Sequence, residues 1–303
     1  MDIFVYYCKK LGALICRNLA YILWFLFFFY SSCSLLSIFN IKSKNTSFYI
    51  CIVLYAISLL VAFVFGEQIL RLVNHARPVE TSEEKEYFLP IFERTLEEVR
   101  NIDSKLPEIK PHIVDSIGIN AFAIGKHTVA VTKGALETFS EEELQSVILH
   151  EIAHIRNGNT TAEILNKVGN GVFSVLIIII NLLFTLFDYI LWDIDESAQE
   201  EESRHPRTFF LVIRLIFNLY IQLLLFIGNL FLARNSRKSE LLADKFAFEL
   251  GHGEDMISAL YLLQKLSLSD NRGLVEQMQA KHPRISLRIE ELEDLLEIEE
   301  QSA

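Results

Sequence analysis

The chain has 303 residues; 51% are hydrophobic and 23 are phenylalanine, richer than a soluble protein of this size needs. Its formal net charge of −11 argues against a nucleic-acid role, which calls for a basic patch. Cys8, Cys16, Cys33 and Cys51 sit in or beside the first apolar stretches with no Cys-x-x-Cys pair. Neither a disulfide framework nor a cysteine metal site is therefore expected, and these side chains read as small apolar groups.

No Asp, Glu, Lys or Arg occurs from Asn18 to Ile41 or from Asn45 to Gly66. Each run is about 20 residues, and at about 1.5 Å per residue such a helix crosses the roughly 30 Å hydrocarbon core. Lys9, Lys10 and Arg17 precede the first run, as in a signal peptide. No small-residue cleavage pattern follows and a second run comes soon after, so a retained anchor is expected. Residues 1–77 are read as an N-terminal transmembrane hairpin.

A polar linker, Pro78 to Ser82, leads into a helix predicted from about Glu83 to Arg100, bent near Pro90. The segments His112–Asp115, Ala121–Ile124 and Thr128–Thr132 are short and rich in β-branched or aromatic residues. Gly118, Asn120, Gly125 and Gly134 punctuate them, which predicts a small sheet. An exposed edge strand there would hold a substrate backbone in extended form beside the next helix. A purely structural meander fits the same residues.

That next helix carries the chemistry. Ser140 and Glu143 have capping-box spacing, Leu144, Val147, Ile148, Ile152 and Ile155 recur on one side, and Asn157-Gly158-Asn159 stops it. Within it stands His150-Glu151-Ile152-Ala153-His154. Two histidines four residues apart project from one helix face, so both imidazoles can hold a zinc ion while the glutamate between them reaches a water. Hydrolysis needs a third protein ligand and one open position, and Glu240 in Ser239–Asp244 is the leading candidate. The plain alternative is a pair of partly exposed surface histidines. A metzincin layout fails, because Asn157 and Thr160 stand where glycine and histidine are required. Glu141, Glu142, Glu143, Arg156 and Asn157 flank the pair and keep the helix out of lipid.

Val168–Phe187 and Leu215–Ala233 again lack charged residues and predict a second transmembrane hairpin, 168–233. It divides the catalytic domain into 78–167, with the sheet and metal helix, and 234–303. If His150, His154 and Glu240 bind one ion, this hairpin emerges directly under the site. Asn166, Asn170, Ser174, Asn181, Thr185 and Asp188 form a polar stripe on the third span, and Arg214, Asn218, Gln222 and Asn229 one on the fourth. Interhelical hydrogen bonding or a hydrated groove would each explain them. Lys9, Lys10, Arg17, Arg71, Arg77, Lys167, Arg234, Arg237 and Lys238 collect on one side of the spans, against Lys42, Lys44, Arg204 and Arg207 on the other. The richer side should be cytoplasmic and carries both termini and the site. The expected fold is a mainly α membrane protein with four transmembrane helices and a zincin-like α+β catalytic domain whose small β-sheet lies beside the metal-binding helix.

Asn120-Ala121-Phe122-Ala123, His150 through Gly158, Ser236 through Asp244, and His282-Pro283 followed by Arg288-Ile289 together resemble the motifs of the HtpX-type membrane zinc metalloproteases. These are relatives of the endopeptidases that process prenylated CAAX proteins, and four spans in the same placement agree. The resemblance implies that His150, His154 and Glu240 bind one Zn2+ per chain and that Glu151 is the general base. It implies that Asp244 hydrogen-bonds a ligand imidazole. His282 would stabilise the oxyanion with electrostatic support from Arg288, and Asn120, Ala121 and Phe122 would contact the substrate backbone. Plainer roles stay open: a solvated helix carboxylate for Asp244, a surface histidine before proline for His282, a turn residue for Asn120.

The implied function is a zinc-dependent endopeptidase of the bacterial cytoplasmic (inner) membrane, acting on protein or peptide substrates, above all membrane proteins damaged under stress. Two alternatives remain at this point. A non-catalytic metal-binding membrane scaffold would need a fourth protein ligand, and none is evident. A narrow processing peptidase for lipidated substrates would need a hydrophobic chamber. The acidic loop Asp193 to Glu202 has no role implied by the resemblance.

Overall fold

The computed structural model describes residues 19–38, 44–197, 205–267 and 285–302. Cys8, Lys9, Lys10, Cys16, Arg17, Lys42, Arg204, His282, Pro283 and the end of the acidic loop lie outside the described residues. Among the described residues the fold is mostly helical with one small mixed sheet.

The described chain starts with two helices, α1 (Leu19–Ile38) and α2 (Lys44–Val73). The Thr46–Val73 part of α2 is long and apolar enough to cross a bilayer, as is Gly171–Ile190 of a later helix, α7 (Gly171–Ser197). Phe63 on α2 and Ile178 and Leu182 on α7 are exposed, as lipid-facing side chains are. The other two expected spans fall on α1 and on α8 (His205–Glu249), whose apolar stretches Phe25–Ser37 and Phe210–Phe226 are shorter.

The next helix, α3 (Ser82–Ile102), begins where Thr81 accepts from the Glu84 N–H and Glu84 reaches back to the Thr81 N–H. Pro90 sits inside α3 without ending it; it lies on an exposed side, where the carbonyl that proline leaves unpaired is not sealed in the core. Phe88, Ile91, Phe92, Leu96 and Val99 form the opposite, buried side.

The sheet has the order β1–β2–β4–β3, with β1 Ala76–Pro78, β2 Lys110–Val114, β3 Ala121–Ile124 and β4 Thr128–Thr132. β1 falls where the sequence predicts only hairpin end and linker; three residues ending in proline are tolerated on a sheet edge. β2 and β4 run parallel while the outer strands are antiparallel to them. Every residue of β4 is buried, and β3 forms an edge.

After a short helix α4 (Lys133–Thr138), α5 (Glu141–Arg156) starts at the Ser140 capping box. It ends where Gly158 takes a φ of +74°, a conformation that suits glycine. The sequence predicts one buried side, but Gln145, Ser146, Leu149 and Ala153 are buried too. The reason is that α5 is central: α3, β3, α8 and α9 (Gly253–Ser267) all pack against it. A last helix, α10 (Ile285–Ser302), packs on α8 and α9. Between α5 and α7, α6 (Asn159–Gly169) lies along α2. The polar stripe expected on one continuous third span is thus divided at Asn170, whose carbonyl receives the first N–H groups of α7. Further along, the Arg214 guanidinium lies 3.4 Å from the Thr185 hydroxyl and 3.9 Å from the Asp188 carboxylate, so there the two stripes meet as interhelical contacts.

Candidate metal centre

Helical periodicity places His150 and His154 on one face of α5, and their rings stand edge to face. Glu240 arrives from α8, 86 residues after His154, and Ala243 and Ala247 on the same helix are fully buried, small enough for α8 to close on α5. The ligand atoms of His150, His154 and Glu240 all lie within 4.8 Å of one another. His150 Nε2 and His154 Nε2 are 3.2 Å apart, and the Glu240 carboxylate oxygens are 3.4 Å from the first and 3.2 Å from the second. Zinc bonds of about 2.0–2.1 Å at tetrahedral angles separate ligand atoms by roughly 3.3 Å. The spacing fits such a cation, and two nitrogens plus one oxygen from three side chains is the donor set of catalytic zinc sites, with a fourth position left open.

The outer nitrogens are held as well. His150 Nδ1 is 2.8 Å from Asp244 Oδ1. The Arg288 guanidinium from α10 donates to both oxygens of the same carboxylate, at 2.7 and 2.6 Å. Asp244 is 2% exposed and Arg288 7%. Burial disfavours charge on both His150 and Asp244. Asp244 and Glu240 outweigh it at His150 and push that imidazole up to about 10, while His150 and Arg288 hold the Asp244 carboxyl below its ordinary range. So carboxylate-rich a pocket calls for positive charge at its centre, which a metal cation also supplies. At His154, the Asn159 amide lies 3.3 Å from Nδ1.

Glu151 sits apart from the triangle. Its Oε2 accepts the Ala123 N–H of β3 at 2.8 Å, tying α5 to the edge strand. The Thr132 N–H donates to the Asn120 carbonyl, which makes that pair a hydrogen-bonded one in the antiparallel ladder. By alternation Phe122 and Ile124 bond to β4, while the backbone groups of Ala121 and Ala123 face away from it. The Asn120 side chain is exposed and Phe122 half-buried.

Of the residues singled out in the sequence, the structure brings together His150, His154, Glu240, Asp244 and Arg288, and sets Glu151 against Ala123. Arg288 lies on Asp244, the carboxylate that meets His150. Asn159 is the contact that sequence reasoning passes over: it reads only as part of a helix stop, and its approach to His154 depends on how α6 turns away from α5.

Residues 90–296 match the family described as Peptidase family M48. The chain belongs to peptidase family M48. It is 30% identical over 234 residues to a "Protease HtpX homolog" of Thermoanaerobacter pseudethanolicus, covering 70% of this chain and 73% of that one. A "Protease HtpX homolog" of Listeria monocytogenes is 26% identical over 268 residues, covering 80% and 84%. Among solved structures, the crystal structure of S. mikatae Ste24p aligns with a TM-score of 0.50 at 17% identity, over 96% of this chain and 66% of that one, a likeness of fold. This M48 protein is an HtpX-type, membrane-associated metallopeptidase.

Proposed function

We propose that His150, His154 and Glu240 bind one zinc ion and that Glu151 is the general base for hydrolysis of a peptide bond. The observation that carries this is the convergence of three ligand atoms within 4.8 Å while the Glu151 carboxylate is held on the adjacent edge strand. When bound, zinc polarises the scissile carbonyl and lowers the pKa of a water toward about 7. The Ala123 N–H holds Oε2 of Glu151 in place; the carboxylate takes a proton from the attacking water and passes it to the leaving amine. Asp244, gripped by Arg288, keeps the His150 ring turned so that Nε2 faces the centre. His282 is assigned the developing oxyanion. The substrate lies extended along β3, pairing with the outward N–H and carbonyl of Ala121 and with the Ala123 carbonyl, the Ala123 N–H being taken by Glu151, beside the Asn120 and Phe122 side chains.

In this reading α1, α2, α7 and the first half of α8 are four spans. The hairpin 168–233 separates catalytic segments 78–167 and 234–303, and the centre and both termini are cytoplasmic in a bacterial inner membrane. The substrates are membrane proteins awaiting quality control under stress, a purpose taken from the resemblance to HtpX-type proteases. The test uses the full chain in detergent with zinc and casein as substrate. The parent cleaves, Glu151→Gln does not, and both hold zinc equally, because Glu151 is a base and not a ligand. Equal cleavage by both proteins overturns the assignment.

A further inference from the structure

The strand proposed to receive substrate is seated by a membrane helix. Glu67, in the last turns of α2, reaches the turn between β3 and β4: its Oε1 accepts the Thr128 hydroxyl at 2.7 Å and its Oε2 the Lys126 N–H at 3.2 Å. Gly125 in that turn has a φ of +62°, and a Cβ there would run into the Glu67 carboxylate. From α6, the Thr160 hydroxyl donates to the Gly125 carbonyl at 2.5 Å. Ala62 of α2, Ile124 of β3 and Ile164 of α6 form a separate buried cluster under the strand. Among the described residues, none of α2 belongs to the main core around α5. The edge strand thus packs on α5 and the main core through Ala121 and Ala123, while its turn is held by α2 and α6. Glu67 also lies outside the span 90–296 that matches the family.

We propose that Glu67 is a positioning residue that couples α2 to substrate binding by fixing the β3–β4 turn, and through it the backbone groups of Ala121 and Ala123. This rests on the proposal that substrate pairs with β3. Loss of the clamp shifts the strand without moving His150, His154 or Glu240, and Glu151, carried by α5, keeps its bond to the Ala123 N–H by a small side-chain adjustment, so the shift weakens ground-state and transition-state binding alike. That combination raises KM and leaves kcat nearly unchanged.

The experiment measures kcat and KM on the detergent-solubilised, zinc-loaded full chain, with an internally quenched peptide spanning a casein cleavage site. Glu67→Ala should raise KM on the order of tenfold with kcat within about twofold and zinc content unchanged. Glu67→Gln should stay within about twofold of the parent, because its amide oxygen accepts the Lys126 N–H and its NH2 donates to the Thr128 hydroxyl, which can turn to accept. Thr160→Val, nearly isosteric and on the other side of the turn, should raise KM in the same direction. As a readout independent of turnover, Glu67→Ala placed in Glu151→Gln protein should weaken binding of the same peptide by the same factor. An unchanged KM in both Glu67→Ala and Thr160→Val, or a fall in kcat alone, overturns the inference. The outcome is separable from the hydrolase reading: if Glu151→Gln is inactive while Glu67→Ala matches the parent, only the coupling fails.

Discussion

Replacing Asp244 with asparagine probes how the metal centre is held. The carboxylate is 2% exposed and meets His150 Nδ1 at 2.8 Å and the Arg288 fork at 2.7 and 2.6 Å. Asparagine keeps the shape but has one acceptor and an NH2 group, which must face a donor on either His150 or Arg288. Breaking a buried ion pair costs about 3–5 kcal/mol. Here Glu240, 3.6 Å from Arg288 Nη1, retains part of the balancing charge, so a loss of about 3 kcal/mol in folding stability is expected. The zinc effect is separate: disturbing the group that orients a ligand imidazole weakens metal binding about 10–100-fold, or about 1.4–2.8 kcal/mol. Competition against a zinc chelator reads the affinity, and thermal unfolding with and without zinc reads the stability. Asp244→Asn protein that folds like the parent and binds zinc within about twofold of it would refute the role given to this carboxylate.

Glu240→Ala removes the oxygen donor and should strip zinc at chelator concentrations the parent survives; full occupancy by metal analysis would move the third ligand elsewhere. A pH effect should arise at the start of α3. Arg77, with help from the Thr81 and Glu80 N–H groups, holds the buried Glu84 carboxyl down at about 2. A carboxyl depressed in the folded state stabilises above its unfolded pKa, about 4.3, and loses that contribution as pH falls toward 2. Glu84→Gln should therefore be less stable than the parent at pH 7, by roughly 1–2 kcal/mol once exposure of Arg77 to water is allowed for. The difference should shrink from about pH 4.5 downward, and a gap that stays constant from pH 7 to pH 3 would contradict the assignment.

Much of this protein is encoded over short stretches of chain. A period of 3.6 residues puts His150 and His154 on one face wherever α5 lies, and it puts Glu240 and Asp244 on one face of α8. Ser140 with Glu143 sets where α5 begins, and the alternation of β-branched residues with Gly118, Gly125 and Gly134 sets the three strands of the predicted sheet. Those features depend on neighbours within a few residues, so they are legible one window at a time.

What tertiary structure alone decides are the meetings of residues far apart in the chain. Nothing in a window shows that Glu240 closes on His154 across an intervening apolar hairpin, that Arg288 clasps Asp244 rather than water, or that Asn159 faces His154. The parallel pairing of β2 with β4 and the brief β1 are likewise choices of partner, not of propensity. Glu67 is the clearest case: by composition it is one acidic residue near the end of an apolar helix, and only the packing of α2 against the sheet turns it into a clamp. Such contacts gain energy only once both elements are already in place, so they leave no periodic mark in the sequence that makes them.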